Sequence, residues 1–336
     1  MKQKHVIKMA VTGLLVAAMV VTCVACGKKD SHLKKITLNE VAHSIFYAPQ
    51  YVAIENGYFE DEGIDLELVT GFGADKTMSA LVAGEADIGF MGAESSIYLY
   101  SEGASDYAVN FAQLTQRAGN FLVAREPIEN FTWDMIKGKE VLGGRKGGMP
   151  QMVFEYILKK NGIDPATDLS IDQSIDFGST AAAFSGGQGD FTVEFEPATA
   201  LESAKEGYVV ASLGVDSGYV PYTSYCTTKS YLAENEDIIQ SFTNALQKGM
   251  EYVNTHSPEE IAKVIAPQFE ETDIETIETI VNRYYEQNTW KDNLVFEESS
   301  FDLLQNILSD AGELDREVSY DNIIDTKFAQ KAIEKK

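Results

Sequence analysis

The chain has 336 residues, of which 44% are hydrophobic and 24% are charged. This composition is typical of a globular protein and excludes a disordered chain, while the length exceeds that of one usual domain and predicts two lobes. The formal net charge of −25 opposes binding to nucleic acid and to anionic lipid headgroups, because both require basic surfaces. We therefore expect no nucleic-acid partner.

The chain opens with the pattern of an export signal. Lys2, Lys4 and Lys8 precede an uncharged run from Met9 to Ala25, and Cys26 follows. A lysine-bearing head, an apolar stretch and a small residue before the cleavage point are the three parts of such a signal. The alternative is an uncleaved anchor, although the run is at the short limit for a membrane span. Both interpretations place the rest of the chain outside the cytoplasmic membrane.

Cys23 and Cys26 form a C-x-x-C motif, which suits a redox pair or half of a zinc site. Either site needs a folded frame, and an export signal supplies none. Zinc also needs further ligands, yet Cys226 is the only other cysteine and the four histidines show no paired spacing. We therefore expect no metal and no disulfide, with Cys226 as a small buried side chain.

Polar, lysine-rich residues from 27 to 35 predict a short tether, and the fold is expected to begin near Ile36. From there the apolar residues alternate between strand-like and helix-like periods. Such alternation predicts a mostly parallel sheet flanked by helices, with ligands at the carboxyl ends of its strands. Predicted strands lie at 36–42, 64–69 and 86–91, and predicted helices run from 47 to the Asn56-Gly57 stop, from 74 to about 84, and onward from 94.

A second run of the same kind follows and then gives way to helices. From Tyr231 onward the apolar residues show only helical periods, which predicts a helical C-terminal part. In the second run, predicted strands lie at 121–125, 140–144, 208–213 and 220–229, and predicted helices lie at Trp133 and at 150–160.

One phrase occurs twice in the chain. The stretches SALVAGEADIGFMGAESS and AAFSGGQGDFTVEFEPATA can be aligned with Gly84 on Gly187 and Asp87 on Asp190. In both copies a helix ends at glycine, and one aspartate leads into an apolar strand. The repeat predicts two α/β lobes that present equivalent strand ends to each other across a cleft, and a chance similarity is the alternative.

Four phrases of the sequence resemble the extracytoplasmic solute-binding lipoproteins of ABC importers, in the group that binds nitrate, sulfonates and thiamine pyrimidine precursors. They are YAPQYVAIENGYFEDEGIDL, ALVAGEADIGFMGAESS, GDFTVEFEPATAL and GYVPYTSY. The resemblance runs from about Ile36 to Phe328. It implies a two-lobed α/β fold of the periplasmic-binding-protein type II, with two segments crossing between the lobes near Gln116 and Gly214.

The resemblance also implies an order of segments. Cys26 stands where lipoproteins of this group carry their lipid, although Cys23 occupies the position usually held by leucine. The implied segments are a signal peptide at 1–25, a tether at 26–35, the first part of lobe 1 at 36–116, lobe 2 at 117–214, and a return to lobe 1 with C-terminal helices at 215–336.

The function that the resemblance implies is binding and not catalysis. The implied partners are a small-molecule ligand, an ABC permease with its ATPase, and the outer face of the cytoplasmic membrane through a lipid anchor, with a monomer and no cofactor. Phosphate-loop, H-E-x-x-H and G-x-S-x-G motifs are absent from the sequence. The alternatives are a pyrimidine-synthesising enzyme of this fold, which carries a cysteine-rich segment, and a regulator's effector domain, which follows a helix-turn-helix.

Candidate ligand contacts lie at predicted strand ends and in the loops after them. Aromatic side chains there can stack on a flat ligand, glycines let the backbone approach it, and helix N-termini offer free N–H groups. Core packing is the alternative for Phe46 and Tyr47, and hydrogen bonding within the fold for His43. Ser95 can instead cap its helix and Glu94 complement its dipole. The predicted contacts are His43, Ser44, Phe46, Tyr47, Gly73, Glu94, Ser95, Gly148, Met149, Glu194, Glu196 and Tyr222.

The acids among these candidates favour one ligand class. Glu194 and Glu196 alternate with apolar residues, so both are predicted on one side of a strand, facing the cleft. Buried acids need hydrogen-bond donors, and with the aromatic candidates they favour a neutral or cationic nitrogen heterocycle such as a thiamine pyrimidine precursor. Arg145 and Lys146 in the phrase GGRKGGMP favour a sulfonate, nitrate or another small anion as the alternative.

Overall fold

The computed structural model describes residues 33–175, 178–196, 201 and 205–335. The predicted signal peptide, the candidate lipidation site Cys26 and most of the predicted tether lie outside these residues. The described residues from Lys34 onward belong to one compact unit. Among the described helices, none is both long and apolar enough to span a membrane.

Strands and helices alternate through the first two thirds of this unit, as the apolar periods predict. The strands are β1 Lys34–Glu40, β2 Ile64–Thr70, β3 Ile88–Met91, β4 Ala108–Thr115, β5 Phe121–Ala124, β6 Glu140–Leu142, β7 Ser170–Asp172, β8 Phe191–Glu194, β9 Tyr208–Ser212 and β10 Thr223–Thr228. The earlier helices are α1 Ala48–Glu55, α2 Tyr58–Asp61, α3 Ala74–Val82, α4 Glu94–Ser101, α5 Met149–Lys160, α6 Thr180–Ser185 and α7 Leu213–Ser217.

The last third is helical, as predicted from the helical spacing of the apolar residues after Tyr231. Its helices are α8 Lys229–Glu234, α9 Glu236–Thr255, α10 Pro258–Ile265, α11 Ile274–Glu286, α12 Glu298–Asp310, α13 Tyr320–Ile323 and α14 Lys327–Glu334. Helix α9 packs on α1 and on α14, and α11 packs on α10 and on the 3-10 turn Ile45–Tyr47. The C-terminal helices therefore cover the first sheet and reach the turn that follows β1.

The two sheets share one topology. The first sheet has the strand order β2-β1-β3-β10-β4, and the second has β7-β6-β8-β5-β9. In each, the first three strands are parallel, and the fourth runs antiparallel to both of its neighbours. The predicted α/β class is confirmed, with sheets that are mixed because one strand in each runs against the other four.

The internal repeat is visible in the hydrogen bonds that precede β3 and β8. The Asp87 N–H donates to the Thr37 carbonyl at 2.9 Å, and the Thr37 N–H donates to the Asp87 carboxylate at 2.8 Å. In the second sheet, Asp190 forms the same pair with Glu140, at 2.7 and 3.0 Å. Each aspartate thus fastens the start of a central strand to its parallel neighbour, and the two copies are structurally equivalent.

Two segments pass from one sheet to the other, residues 116–120 between β4 and β5 and residues 213–222 between β9 and β10. The Arg117 guanidinium donates to the Gly214 carbonyl at 2.8 Å. A Cβ on Gly214 would lie 2.4 Å from the Ala118 carbonyl oxygen, which real structures do not tolerate. The two crossing segments therefore lie directly against each other.

Several element boundaries differ from the predictions. Strand β1 begins at Lys34, which pairs with Ile64, so the predicted tether extends too far. The predicted helix at Trp133 is a short 3-10 turn. Strand β4 has no counterpart among the predicted elements, because all eight of its residues are buried and its polar side chains break any apolar alternation. Polar Asn110 of this strand accepts a hydrogen bond from the Ser224 hydroxyl at 2.6 Å.

The equivalent aspartates generate a stability prediction. Asp87→Ala and Asp190→Ala each remove the acceptor for a strand N–H, so each should lower the free energy of unfolding by about 1 kcal/mol. Urea unfolding measures the change. The matched control is Asp65→Ala, which removes an exposed carboxylate of β2. Losses no larger than that of the control would contradict the structural role of the repeat.

Candidate functional site

The carboxyl ends of the central strands of both sheets meet at a group of aromatic rings. The centroid of the Phe46 ring lies 5.7 Å from that of Phe195, 5.8 Å from Tyr222 and 5.1 Å from Tyr284. Phe46 follows β1, Phe195 follows β8, Tyr222 ends a crossing segment, and Tyr284 lies on α11. We call these four residues the aromatic bridge, because they connect the two sheets.

Glu94 is the most unusual group beside this bridge. It is the first residue of α4 and is 3% exposed, and its Oε2 atom has no hydrogen-bond partner among the described residues. Burial raises the pKa of its carboxyl to about 8, against an opposing hydrogen bond from its own backbone N–H. A Cβ on Gly92 would lie 2.0 Å from Oε2, so a larger residue there would require the Glu94 side chain to shift.

Three tyrosines lie within electrostatic range of Glu94. Burial first, and the Glu94 charge as a lesser cause, raise the pKa values of Tyr47, Tyr98 and Tyr222. The Tyr222 hydroxyl donates to Asn120. The unpartnered Oε2 atom of Glu94 is thus accompanied by three tyrosines that are largely buried.

Tyr98 brings the second sheet to this region. Its hydroxyl lies 3.3 Å from the Gly147 carbonyl oxygen and 3.4 Å from the Met152 sulfur, at the N-terminal end of α5. The predicted contacts Gly148 and Met149 occupy that same end, where Gly148 precedes the helix and Met149 is buried. The N-terminal turns of α4 and α5 therefore approach each other from opposite sheets.

His43 and Ser44 bind partners on the side of the first sheet. The imidazole Nδ1 lies 2.8 Å from the Glu40 carboxylate and Nε2 lies 2.8 Å from the Gln268 carbonyl oxygen. The hydrogen bond to Glu40 raises the pKa of His43, against its partial burial. The Ser44 hydroxyl accepts the Phe46 N–H and caps the 3-10 turn. Both side chains position the turn that carries Phe46.

The loop before α3 faces the loop before α5. Gly73 has a φ of 139°, and its N–H donates to the Val41 carbonyl at 3.0 Å. Asp75, in the first turn of α3, forms an ion pair with Arg145 at 3.1 Å, and both side chains are about half exposed. Lys146 is exposed beside it. Arg145 and Lys146 therefore lie at the exposed edge between the two lobes, and Arg145 is paired with an acid of the opposite lobe.

The two glutamates around the end of β8 bind different partners. Glu194 accepts hydrogen bonds from the Thr180 and Thr192 hydroxyls, and burial raises its pKa to about 7. Strand β8 ends at Glu194, and Glu196 beyond it forms an ion pair with Arg283 of α11 at 2.6 Å. The predicted common face therefore does not extend to Glu196, because the regular alternation stops before it.

The structure brings Phe46, Tyr47 and Tyr222 together, and Glu94 lies within electrostatic range of the two tyrosines. Ser95 is adjacent to Glu94 on α4 and is buried. It adds residues that the sequence analysis missed. Tyr98 carries a signal in its spacing, since it lies four residues after Glu94 and so on the same helix face, whereas Tyr284 comes from a distant helix and carries none. No described group of three histidine, cysteine, aspartate or glutamate residues is arranged to hold a metal ion.

Known proteins resemble this chain in sequence. A family model described as NMT1/THI5 like matches residues 45–261. The "Putative binding protein YtlA" of Bacillus subtilis (strain 168) is 45% identical over 313 residues, which is 93% of each chain.

Two solved structures resemble it in fold. The alkanesulfonate-binding protein SsuA from Xanthomonas axonopodis pv. citri, bound to MOPS, gives a TM-score of 0.70 at 14% identity, over 87% of this chain and 98% of that one. The periplasmic nitrate-binding protein NrtA from Synechocystis PCC 6803 gives 0.71 at 15% identity, over 90% of this chain and 89% of that one. These similarities confirm the expected periplasmic-binding-protein-like fold.

The similarity in sequence shows the family to which the chain belongs, whereas the similarity in fold does not. The family model covers well over half of the chain, and the Bacillus relative is similar along nearly its whole length. The chain belongs to the NMT1/THI5-like family.

Proposed function

We propose that this protein is the solute-binding component of an ABC importer and that it holds its solute between the two sheets, beside Glu94. The observation that carries the proposal is the buried Glu94 carboxyl, whose Oε2 lacks a partner among the described residues. Buried polar groups in folded proteins are nearly always hydrogen-bonded, so an orphan between two lobes points to a ligand.

The proposed ligand is a nitrogen heterocycle with N–H donors, neutral or cationic, such as a thiamine pyrimidine precursor. A buried carboxyl needs donors or a proton, and an amino group beside a ring nitrogen supplies a donor in the plane of the ring. Phe46, Phe195 and Tyr222 form a group of aromatic rings, and a flat ring packs favourably against such a group.

A small anion is the second candidate, because the fold neighbours SsuA and NrtA are named as alkanesulfonate-binding and nitrate-binding. The basic residues that favoured an anion are Arg145 and Lys146. Both are exposed, and Arg145 is paired with Asp75, so the heterocycle has the stronger support. A pyrimidine-synthesising enzyme is less supported, since Cys226, the one cysteine among the described residues, is buried and burial raises its thiol pKa to about 12.

The proposed setting is the outer face of the cytoplasmic membrane, with a permease and its ATPase as partners. This setting depends on the export pattern of residues 1–25 and on Cys26 as the lipidated residue. The segment boundaries given above for the two lobes belong to the same proposal. Metabolic labelling of the full chain with a radioactive fatty acid tests the anchor, and Cys26→Ser should remove the label.

Thermal unfolding tests the ligand class, using the chain from Cys26 onward with hydroxymethylaminopyrimidine, an alkanesulfonate and nitrate. At a hundredfold excess over Kd the bound form gains about 2.7 kcal/mol, so the true ligand should raise Tm. Glu94→Gln should weaken that ligand about tenfold or more, because hydrogen bonds to a charged carboxylate are the stronger kind.

The matched control for this experiment is Glu298→Gln, since Glu298 also begins a helix but is exposed. The control should keep the Tm response of the unsubstituted protein. A response to the alkanesulfonate or nitrate alone would favour the anion, and a heterocycle response that Glu94→Gln leaves intact would contradict the proposed site.

The ion pair between Asp75 and Arg145 leads to a prediction about the rate of ligand dissociation. Arg145→Asp should raise the ligand dissociation rate about two- to fivefold, which is the range for an exposed ion pair, because it sets two acids against each other across the lobes. The double variant Asp75→Arg with Arg145→Asp restores opposite charges and should restore the rate, as measured by stopped-flow displacement. If Arg145 instead contacts an anionic solute, the double variant stays defective.

A further inference from the structure

His43 forms hydrogen bonds through both of its ring nitrogens. Nδ1 lies 2.8 Å from a carboxylate oxygen of Glu40, and Nε2 lies 2.8 Å from the carbonyl oxygen of Gln268. A backbone carbonyl can only accept a hydrogen bond, so Nε2 carries a proton. Whether Nδ1 also carries one depends on Glu40 and on Tyr51, whose hydroxyl lies 3.2 Å from that nitrogen.

Neither of these neighbours has a proton to give to Nδ1. The Tyr51 hydroxyl donates to Oε2 of Glu40 at 2.9 Å, and its oxygen accepts the Ser44 N–H at 3.1 Å. The buried Glu40 carboxylate also accepts hydrogen bonds from the Gln50 amide at 2.7 Å and from the Thr70 hydroxyl at 3.1 Å. Because both carboxylate oxygens act as acceptors, Nδ1 has to donate. An imidazole that donates from both nitrogens is a cation.

The charged groups around His43 leave Glu40 as its counter-ion. Within the described part of the chain, His43 is the only basic residue that forms an ion pair with Glu40. Lys263, the basic residue of the preceding helix α10, is paired with Glu259 at 2.5 Å. The other titratable groups on the elements packed around the imidazole are Tyr47 on the 3-10 turn, Tyr51 and Glu55 on α1, and the exposed Glu270 and Glu271 that follow Phe269.

The two hydrogen bonds of His43 join segments that are 225 residues apart in sequence. His43 lies just before the 3-10 turn that carries Phe46, and Gln268 ends the 3-10 turn that leads to α11 and its Tyr284. The Phe269 ring packs on the imidazole, with centroids 4.8 Å apart. Phe46 and Tyr284 are neighbours in the aromatic bridge, so His43 links the two segments that bring these rings together.

We propose that His43 is held as a doubly protonated cation and positions the turn after β1 against the segment before α11, so that solute binding weakens when the cation loses a proton. The inference rests on the proposed function, because it concerns the walls of the proposed solute site, and it applies to any class of solute. A neutral imidazole has one N–H, and the charge of Glu40 keeps that proton on Nδ1. Nε2 then faces the Gln268 carbonyl without a proton, and the link to the α11 segment is lost.

The direction of the pH dependence follows from this link. The hydrogen bond to Glu40 raises the pKa of His43 above its ordinary value of about 6.5, against the opposing effect of burial. The contribution of the cation is therefore complete below about pH 6.5 and is lost as the pH rises through the raised pKa. Affinity should fall about three- to tenfold over that rise, which corresponds to one hydrogen bond between protein groups.

Nitrogen NMR of the full chain, with isotope-labelled histidine rings, tests the protonation state directly. The chain contains four histidines, so the triple variant His5→Gln, His32→Gln and His256→Gln leaves only the signals of His43. At neutral pH both ring nitrogens should give the signals of an imidazolium, and Nε2 should be the nitrogen that loses its proton when the pH is raised. An unprotonated ring nitrogen at neutral pH would overturn the inference.

The pH profile of binding distinguishes a cation from a contact that is merely structural. The probe is whichever of hydroxymethylaminopyrimidine, an alkanesulfonate and nitrate raises Tm. His43→Gln is neutral at every pH, so it should bind about three- to tenfold more weakly below the raised pKa and equally well above it. His256→Gln, which changes the histidine at the end of α9, should keep the profile of the unsubstituted protein. Parallel profiles for the unsubstituted protein and His43→Gln would overturn the inference.

Urea unfolding without solute separates this inference from the proposed function. The difference in the free energy of unfolding between the unsubstituted protein and His43→Gln should shrink as the pH rises through the raised pKa, and a constant difference would overturn the inference. If no probe raises Tm while the difference shrinks, the proposed ligand classes fail and the protonated link stands. The nitrogen signals need no substitution at position 43, so they decide the case even where His43→Gln fails to fold.

Discussion

A carboxyl group that is removed from water must keep a proton or find donors, and this constraint at Glu94 organises the region between the two sheets. Glycine at position 92 lets the carboxylate keep its place, because a Cβ there would displace it. The tyrosines near it are amphipathic, with rings that pack in the core and hydroxyls that can form hydrogen bonds. A buried acid without a full set of partners costs stability, and this cost is what supports the proposal of a ligand at Glu94.

The position of Glu94 depends on the shared topology of the sheets. In both, the aspartate before the central strand fixes that strand against its parallel neighbour, and the chain then emerges at the edge that faces the other sheet. Ligands of open α/β sheets gather at such carboxyl ends. Glu94 follows β3 at one edge and Phe195 follows β8 at the other, so equivalent points of the repeat contribute a carboxyl group and an aromatic ring.

Much of this arrangement was predictable because it follows from the spacing of apolar residues within short stretches of the sequence. The α/β alternation, the helical C-terminal part, the repeat centred on Asp87 and Asp190, and the candidacy of Glu94 all come from short stretches of sequence. Strand β4 was not predictable, since its buried polar residues are satisfied by distant partners such as Ser224. Nor was the pairing of Glu196 with Arg283, because the two residues are brought together only by the packing of α11. For Glu94 itself, the sequence leaves a helix-dipole role equally open, and only the three-dimensional surroundings reveal the missing partner.

The contact between the crossing segments constrains how the halves can move. Because the Arg117 side chain holds the Gly214 carbonyl and the backbones touch at Ala118, neither segment can bend without the other. Two crossing segments that are held together act as a single hinge. Such a hinge favours rotation about one axis over twisting or sliding. A hinge that moves in one direction samples few arrangements, so less conformational entropy is lost when such a hinge is held in one position.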